Sequence, residues 1–141
     1  MNNKEKQSKY ALLMKKLDIA TNEEFYFEAI LIEYAILEDR TESILRHADI
    51  KVPKGLQKKI NTIKENKIFE EEKIKKHLTD KLINSIEIWK NHRNKIIHDL
   101  VESSYDKKEI KDIALTGECL VKRFANKSVL VNKYLENKKT K

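Results

Sequence analysis

The sequence predicts an all-α protein, a helix bundle of four to five main helices, and three observations support this. Only 2 Gly and 1 Pro occur in 141 residues, too few for the frequent turns of a β-sandwich or barrel. Hydrophobic residues make up 40% of the chain and charged residues 38%, a balance that favours folding over disorder. The hydrophobic residues recur at helical spacing. We expect a single helical domain over residues 1–141, with its core between about residues 5 and 136.

The first third of the chain predicts two helices followed by a break. A first helix is expected from about Glu5 to Leu17. Asn22 is a residue type that caps helices, and it predicts the start of a long second helix that ends near His47. Hydrophobic residues follow this helix at alternating spacings of three and four over a wide arc, which predicts contacts on two sides. Pro53 marks the break after it.

The rest of the chain predicts further helices joined by short links. A third helix is expected from near Leu56, with an interruption around Asn66. Thr79 or Asp80 predicts the start of a fourth helix, which runs toward His98.

The C-terminal third predicts a fifth helix and a short last helix. Asp106 and Glu109 have the spacing of a capping box, which predicts the start of the fifth helix. Gly117 falls on its apolar side and allows another helix to approach closely. Asn126 predicts the start of the last helix, and residues 137–141 are expected to be frayed.

Composition restricts the compartment and the partners. The single cysteine, Cys119, excludes an internal disulfide, and its apolar helical context places it in the core. No apolar run approaches the length of a membrane span and no secretory signal is evident, so we expect a cytoplasmic protein without a membrane partner. Residues 1–50 contribute −3 to the net charge of +7, residues 51–100 contribute +6 and residues 101–141 contribute +4. This basic excess would attract RNA, although lysine-rich helices also serve solubility alone.

Two charged residues fall inside the apolar arc of the second helix. Glu33 lies between Ala29 and Ile36 on a helical wheel, and Arg40 lies within roughly 20° of it because seven residues are nearly two turns. Asp39 falls on the opposite face, which we assign to solvent. A buried charge without a partner costs several kcal/mol. We therefore expect Glu33 and Arg40 to be paired with opposite charges or to take part in the function.

The fourth helix carries the second candidate cluster. Arg93 lies in its apolar stripe between Trp89 and Ile96 and is expected to point toward the core. Asn94 and His98 are four residues apart and share a neighbouring face. Arg93 and His98 differ by ~140° on a straight helix. They can converge through the reach of arginine, through a local bend or in a site that two subunits share.

Ordinary structural roles compete with each functional interpretation. A lone histidine on a helix is usually structural, which applies to His47, His77 and His92. An arginine in an apolar stripe is often half of a buried ion pair, and Glu33 is a candidate partner for Arg93. A metal site is the least favoured alternative because the histidines lack metal-ligand spacing. No cofactor is expected.

Residues 93–98, Arg-Asn-Lys-Ile-Ile-His, resemble the signature of the HEPN superfamily, named for nucleotide-binding domains of higher eukaryotes and prokaryotes. That signature is an arginine and a histidine separated by four to six residues, often with an asparagine directly after the arginine. The resemblance covers residues from about 22 to 134 and includes the inward acidic residue Glu33. Many toxin members carry a tyrosine two residues after the histidine, and this chain departs from them with Leu100.

The resemblance implies a metal-independent endoribonuclease, acting as a defence or toxin-like protein. The ribose 2′-hydroxyl would attack the adjacent phosphate and leave a cyclic phosphate. His98 would act as general acid or base, Arg93 would bind the phosphate and stabilise the transition state, and Asn94 would position either group. Glu33 and Arg40 would orient Arg93. The family also implies a homodimer with a composite active site, and a possible antitoxin.

Two other classes of function remain open. One is a non-catalytic HEPN-like module that binds RNA, a nucleotide or a partner protein. The other is a plain helical interaction protein in which Glu33 and Arg93 form a buried structural ion pair.

Overall fold

A computed structural model describes residues 3–140 of the chain, with side chains described at Glu5 and from Lys9 onward. These residues contain no β-strand, and the predicted all-α class is confirmed. The elements in chain order are α1 (Asn3–Asn22), α2 (Tyr26–His47), α3 (Leu56–Glu65), a short 3-10 helix (Lys67–Glu70), α4 (Glu72–Lys75), α5 (Asp80–Val101) and α6 (Lys107–Lys139).

The described chain packs as two compact units, and the long helices α2, α5 and α6 each contribute to both. The first unit comprises residues 3–36 and 88–121. It is built from α1, the first half of α2, the second half of α5 and the first half of α6. Its buried apolar side chains include Leu17, Ala29, Ile30, Ile36, Trp89, Ile96, Ile113 and Val121. The prediction of a single domain over residues 1–141 stays a prediction.

The second unit comprises residues 37–87 and 122–140. Its buried apolar side chains include Leu37, Ile44, Leu45, Leu56, Ile60, Ile74, Leu82, Ile86, Phe124 and Val131. Polar contacts join its segments as well. The buried Asn132 Nδ2 donates to Ser43 Oγ at 3.0 Å, and the Tyr134 hydroxyl donates to a Glu71 carboxylate oxygen at 2.8 Å. The second unit therefore combines an apolar core with hydrogen bonds between helices.

Three helices end in the same way although no glycine is available at their ends. Residues with positive φ follow α1, α2 and α5, namely Glu24 (60°), Asp49 (57°) and Ser103 (59°). In each case the next backbone N–H donates to a carbonyl five residues earlier, at 2.8 to 2.9 Å: Phe25 to Ala20, Ile50 to Leu45 and Ser104 to Asp99. These are Schellman-type ends, which satisfy carbonyls that the helix leaves open.

Some predicted helix boundaries are wrong. Asn22 is the last residue of α1 rather than a cap, and α2 begins at Tyr26. No separate helix begins after Asn126, because α6 continues through it and through Asn137 to Lys139. Asn126 is exposed, where asparagine in a helix costs little. Residue 141, the end of the predicted frayed tail, lies outside the described residues.

The predicted starts of α5 and α6 are confirmed. Thr79 Oγ1 accepts a hydrogen bond from the Leu82 N–H at 3.1 Å and so caps α5. Asp106 Oδ1 accepts from the Lys108 N–H at 2.8 Å at the start of α6. The predicted position of Cys119 in the core is wrong, because its side chain is exposed.

Candidate active site

The stretch that carries the predicted catalytic residues is part of one uninterrupted helix. α5 runs from Asp80 to Val101 without a break between Arg93 and His98. Asn94 and His98 are exposed, and the His98 side chain has 74% of its surface open to solvent. The helix therefore presents two polar groups, one turn apart, to any ligand that reaches this face.

Arg93 lies in the apolar stripe as predicted, but its head group stays close to the surface. Trp89 and Ile96 on either side of it are buried, whereas Arg93 is half-buried. Its guanidinium carbon lies 4.0 Å from the centre of the Tyr34 ring, a cation–π contact. Its Nη1 donates to Asn94 Oδ1 at 3.0 Å. Tyr34 and Asn94 together hold the guanidinium in one orientation.

Sequence reasoning did not identify Tyr34 as a partner of Arg93. The spacing of Tyr34 places it in the hydrophobic seam of α2, where an aromatic ring serves packing. An arginine predicted inside an apolar stripe needs a neighbour that tolerates charge, and an aromatic face does so without a carboxylate. The aromatic ring of Tyr34 in the hydrophobic seam of α2 is the signal that could have identified it.

Glu33 is buried as predicted, yet it forms no ion pair with Arg93 within the described residues. Its relative exposure is 0%, and neither carboxyl oxygen has a hydrogen-bond partner. Burial raises the pKa of Glu33 to about 9, and the nearby charge of Glu118 adds to the effect. Glu33 therefore carries a proton at neutral pH. The alternative of a buried Glu33–Arg93 ion pair is wrong.

Gly117 on α6 makes room for the Glu33 carboxyl group. A Cβ atom at this position would overlap Glu33 Oε1 and lie 2.6 Å from Trp89 Nε1. The Trp89 indole in turn donates to the Ile113 carbonyl of α6 at 3.1 Å. Gly117 therefore leaves room for two side chains of neighbouring helices, the buried acid of Glu33 and the indole of Trp89.

The ring of His98 is free of strong contacts within the described residues. Asp99 Oδ1 lies 4.0 Å from His98 Nδ1, too far for a hydrogen bond. Asp99 instead binds Lys95 Nζ at 2.7 Å, and the same ammonium reaches Glu109 at 3.4 Å. The imidazole nitrogens of His98 thus stay open to a substrate.

Arg40 belongs to the second unit, and its contacts include a two-point interaction with its neighbour. Its Nε and Nη2 donate to Asp39 Oδ2 at 3.1 and 2.8 Å. Asp39 is only 6% exposed, so its assignment to the solvent face of α2 was wrong. The physical reason is that the buried guanidinium requires a carboxylate. The proposed orientation of Arg93 by Arg40 stays a prediction.

The other three histidines differ in their surroundings. His47 Nδ1 lies 2.7 Å from the Ser43 carbonyl, to which a protonated nitrogen donates. Burial lowers the pKa of His77, and two nearby lysines lower it further. His92 is exposed. Across residues 3–140, no group of three or more His, Cys, Asp or Glu side chains could hold a metal ion.

Comparisons of the chain with protein-family models, with curated proteins and with solved structures found no match. Within the described part of the chain, no helix combines the length and the apolar character that crossing a membrane requires.

Proposed function

We propose that the protein is a metal-independent endoribonuclease of the HEPN type that acts on cytoplasmic RNA as a defence or toxin-like protein. One observation carries the proposal. The Arg93 guanidinium is held by Tyr34 and Asn94, and the His98 imidazole is exposed one helical turn beyond Asn94. A fixed cation and a free imidazole on one helix are the two groups that phosphodiester transfer requires.

The chemistry follows from what each group is able to do. The ribose 2′-oxygen forms a bond to the adjacent phosphorus while the bond to the 5′-oxygen breaks. The proton of the 2′-hydroxyl goes to a base, and the leaving 5′-oxygen receives a proton from an acid. His98 fills either role because imidazole exchanges protons near neutral pH. Arg93 offsets the charge that develops on the phosphate, and Asn94 orients its fork.

The geometry also supports a composite site between two protomers. Arg93 and His98 lie on an uninterrupted helix, so their side chains leave its axis ~140° apart. Two copies that face each other would place the His98 of one protomer near the Arg93 of its partner. We therefore propose a homodimer, with an antitoxin as a further partner.

A second candidate is a non-catalytic HEPN-like module that binds RNA, a nucleotide or a partner protein. It is favoured by one specific observation. No carboxylate or backbone carbonyl of the described residues fixes the tautomer of His98, since Asp99 is 4.0 Å away. Catalytic histidines usually have such a partner.

RNA cleavage by Arg93→Ala and His98→Ala variants separates the candidates. His92→Ala is the matched control, because His92 is exposed on the same helix. We expect both site variants to lose at least 100-fold in cleavage rate, on the order expected when acid–base catalysis or a charge clamp is removed. The control should cleave like the parent.

Thermal unfolding of the same variants tests a purely structural role. His98→Ala should leave the melting temperature unchanged, because the side chain is 74% exposed. If the parent does not cleave RNA, or if the site variants cleave as fast as the parent, the proposed enzymatic activity is refuted.

A further inference from the structure

Two exposed hydrophobic groups follow His98 along the chain, one at the end of α5 and one in the loop that leads to α6. Val101 follows His98 by three residues on α5 and is 78% exposed. Tyr105 lies in the loop and is 46% exposed. No described residue forms a hydrogen bond or ring contact with Tyr105. The ring of Tyr105 is thus open to a ligand from solvent.

The loop is held in place at both ends, so Tyr105 does not sit on a loose segment. The Ser104 N–H donates to the Asp99 carbonyl at 2.8 Å, and Ser103 adopts a φ of 59°. On the other side, Asp106 caps α6 through the Lys108 N–H. The bond from Ser104 to Asp99 joins the residues next to Tyr105 and His98. It therefore holds the backbone next to Tyr105 at the end of α5 that bears His98.

A basic segment follows the ring directly. Lys107 and Lys108 are exposed in the first turn of α6 and have no ion-pair partner among residues 3–140. A third lysine, Lys111, lies one turn further along, with its Nζ 5.8 Å from the Tyr26 ring. An open aromatic ring next to unpaired cations matches a nucleobase attached to a phosphate backbone.

We propose that Tyr105 is a stacking platform for a nucleobase of single-stranded RNA next to the phosphate held at Arg93 and His98, and that Lys107 and Lys108 bind the adjoining phosphates. This proposal rests on the proposed function. It adds a substrate class, because bases in a duplex are already stacked on each other and are not available to the ring.

The test measures the binding of fluorescein-labelled RNA by fluorescence anisotropy. The probe carries 2′-O-methyl groups, which block the attacking hydroxyl and so prevent cleavage during the measurement. Tyr105→Ala should weaken binding of the single strand about tenfold, because one stacked base is worth on the order of 1–3 kcal/mol. Tyr105→Phe keeps the ring and should bind within about twofold of the parent. Binding of a duplex of the same sequence should not change.

Two further variants separate stacking from a general loss of hydrophobic surface and from charge. Leu115→Ala removes an exposed hydrophobic side chain from the same unit and should bind like the parent. Replacing Lys107 and Lys108 by Gln should lower the slope of log affinity against log salt by about 1 to 2, as expected for two phosphate contacts.

The outcomes separate the two proposals. If the parent cleaves RNA but Tyr105→Ala binds the single strand as tightly as the parent, the platform is wrong and the proposed function stands. If Tyr105→Phe loses as much affinity for the single strand as Tyr105→Ala, the hydroxyl and not the ring makes the contact. The proposed platform is then also wrong. If the parent neither binds nor cleaves RNA, both proposals fall.

Discussion

Replacing Glu33 by Gln should change how the stability of the protein depends on pH. The side chain has 0% exposure and no partner for either oxygen, and the pKa of Glu33 is raised to about 9. Glutamine has nearly the same shape as the protonated acid and does not titrate. The substitution thus removes the ionisation and leaves the packing against Gly117 in place.

The size of the effect follows from proton binding. The unfolded chain releases the Glu33 proton near pH 4.5, whereas the folded state keeps it up to about pH 9. Within that window the folded state holds one proton more than the unfolded state. The contribution of Glu33 is therefore fully present below pH 4.5 and falls by about 1.4 kcal/mol for each pH unit up to about pH 9.

Urea denaturation of parent and variant at about pH 5.5, 7 and 8.5 measures this slope. The free energy of unfolding of the parent, minus that of Glu33→Gln, should fall by about 1.4 kcal/mol per pH unit. All other titrating groups cancel in the difference. Glu23→Gln is the matched control, because it makes the same substitution at an exposed position directly after α1. A difference between parent and Glu33→Gln that stays constant with pH would refute the reasoning.

Three further substitutions test the packing, each by urea denaturation. Gly117→Ala should destabilise by about 1–3 kcal/mol, since its Cβ meets Glu33 and Trp89; an unchanged midpoint would contradict the close approach. Asp39→Ala should lower the free energy of unfolding by about 1–3 kcal/mol, because it removes two hydrogen bonds between the Asp39 carboxylate and the buried Arg40 guanidinium; a loss below about 0.5 kcal/mol would contradict a stabilising role of this pair. Thr79→Ala should lower the free energy of unfolding by about 1 kcal/mol, because α5 loses its cap, whereas Thr79→Ser should retain most of the stability of the parent.

Much of the helical framework could be predicted from the sequence because its signals are local. Thr79 and Asp106 are capping residues directly before apolar periodic segments, and both act as caps. The end of α1 could not be predicted in this way. It depends on Glu24 adopting a positive φ, which is a rare conformation for a residue other than glycine.

The burial of the candidate site residues could be predicted from the sequence, but the contacts between their side chains could not. Periodicity placed Arg93 in the apolar stripe and Glu33 on the buried face. It could not show that Arg93 rests on Tyr34 while Glu33 stays protonated against Gly117. Which side chains meet depends on the packing of α2, α5 and α6 within the first unit. Charge pairing alone would have joined Glu33 to Arg93, whereas in the structure neither oxygen of the Glu33 carboxyl group has a hydrogen-bond partner.

The chemical ends of the RNA product test the central claim most directly. A labelled single-stranded RNA is incubated with the parent protein in the presence of EDTA, and the new ends are identified by mass spectrometry. Attack by the 2′-hydroxyl predicts a 2′,3′-cyclic phosphate on one fragment and a 5′-hydroxyl on the other, with neither formed by His98→Ala. A 3′-hydroxyl with a 5′-phosphate, or cleavage that EDTA abolishes, would contradict the assignment of a metal-independent reaction to Arg93 and His98.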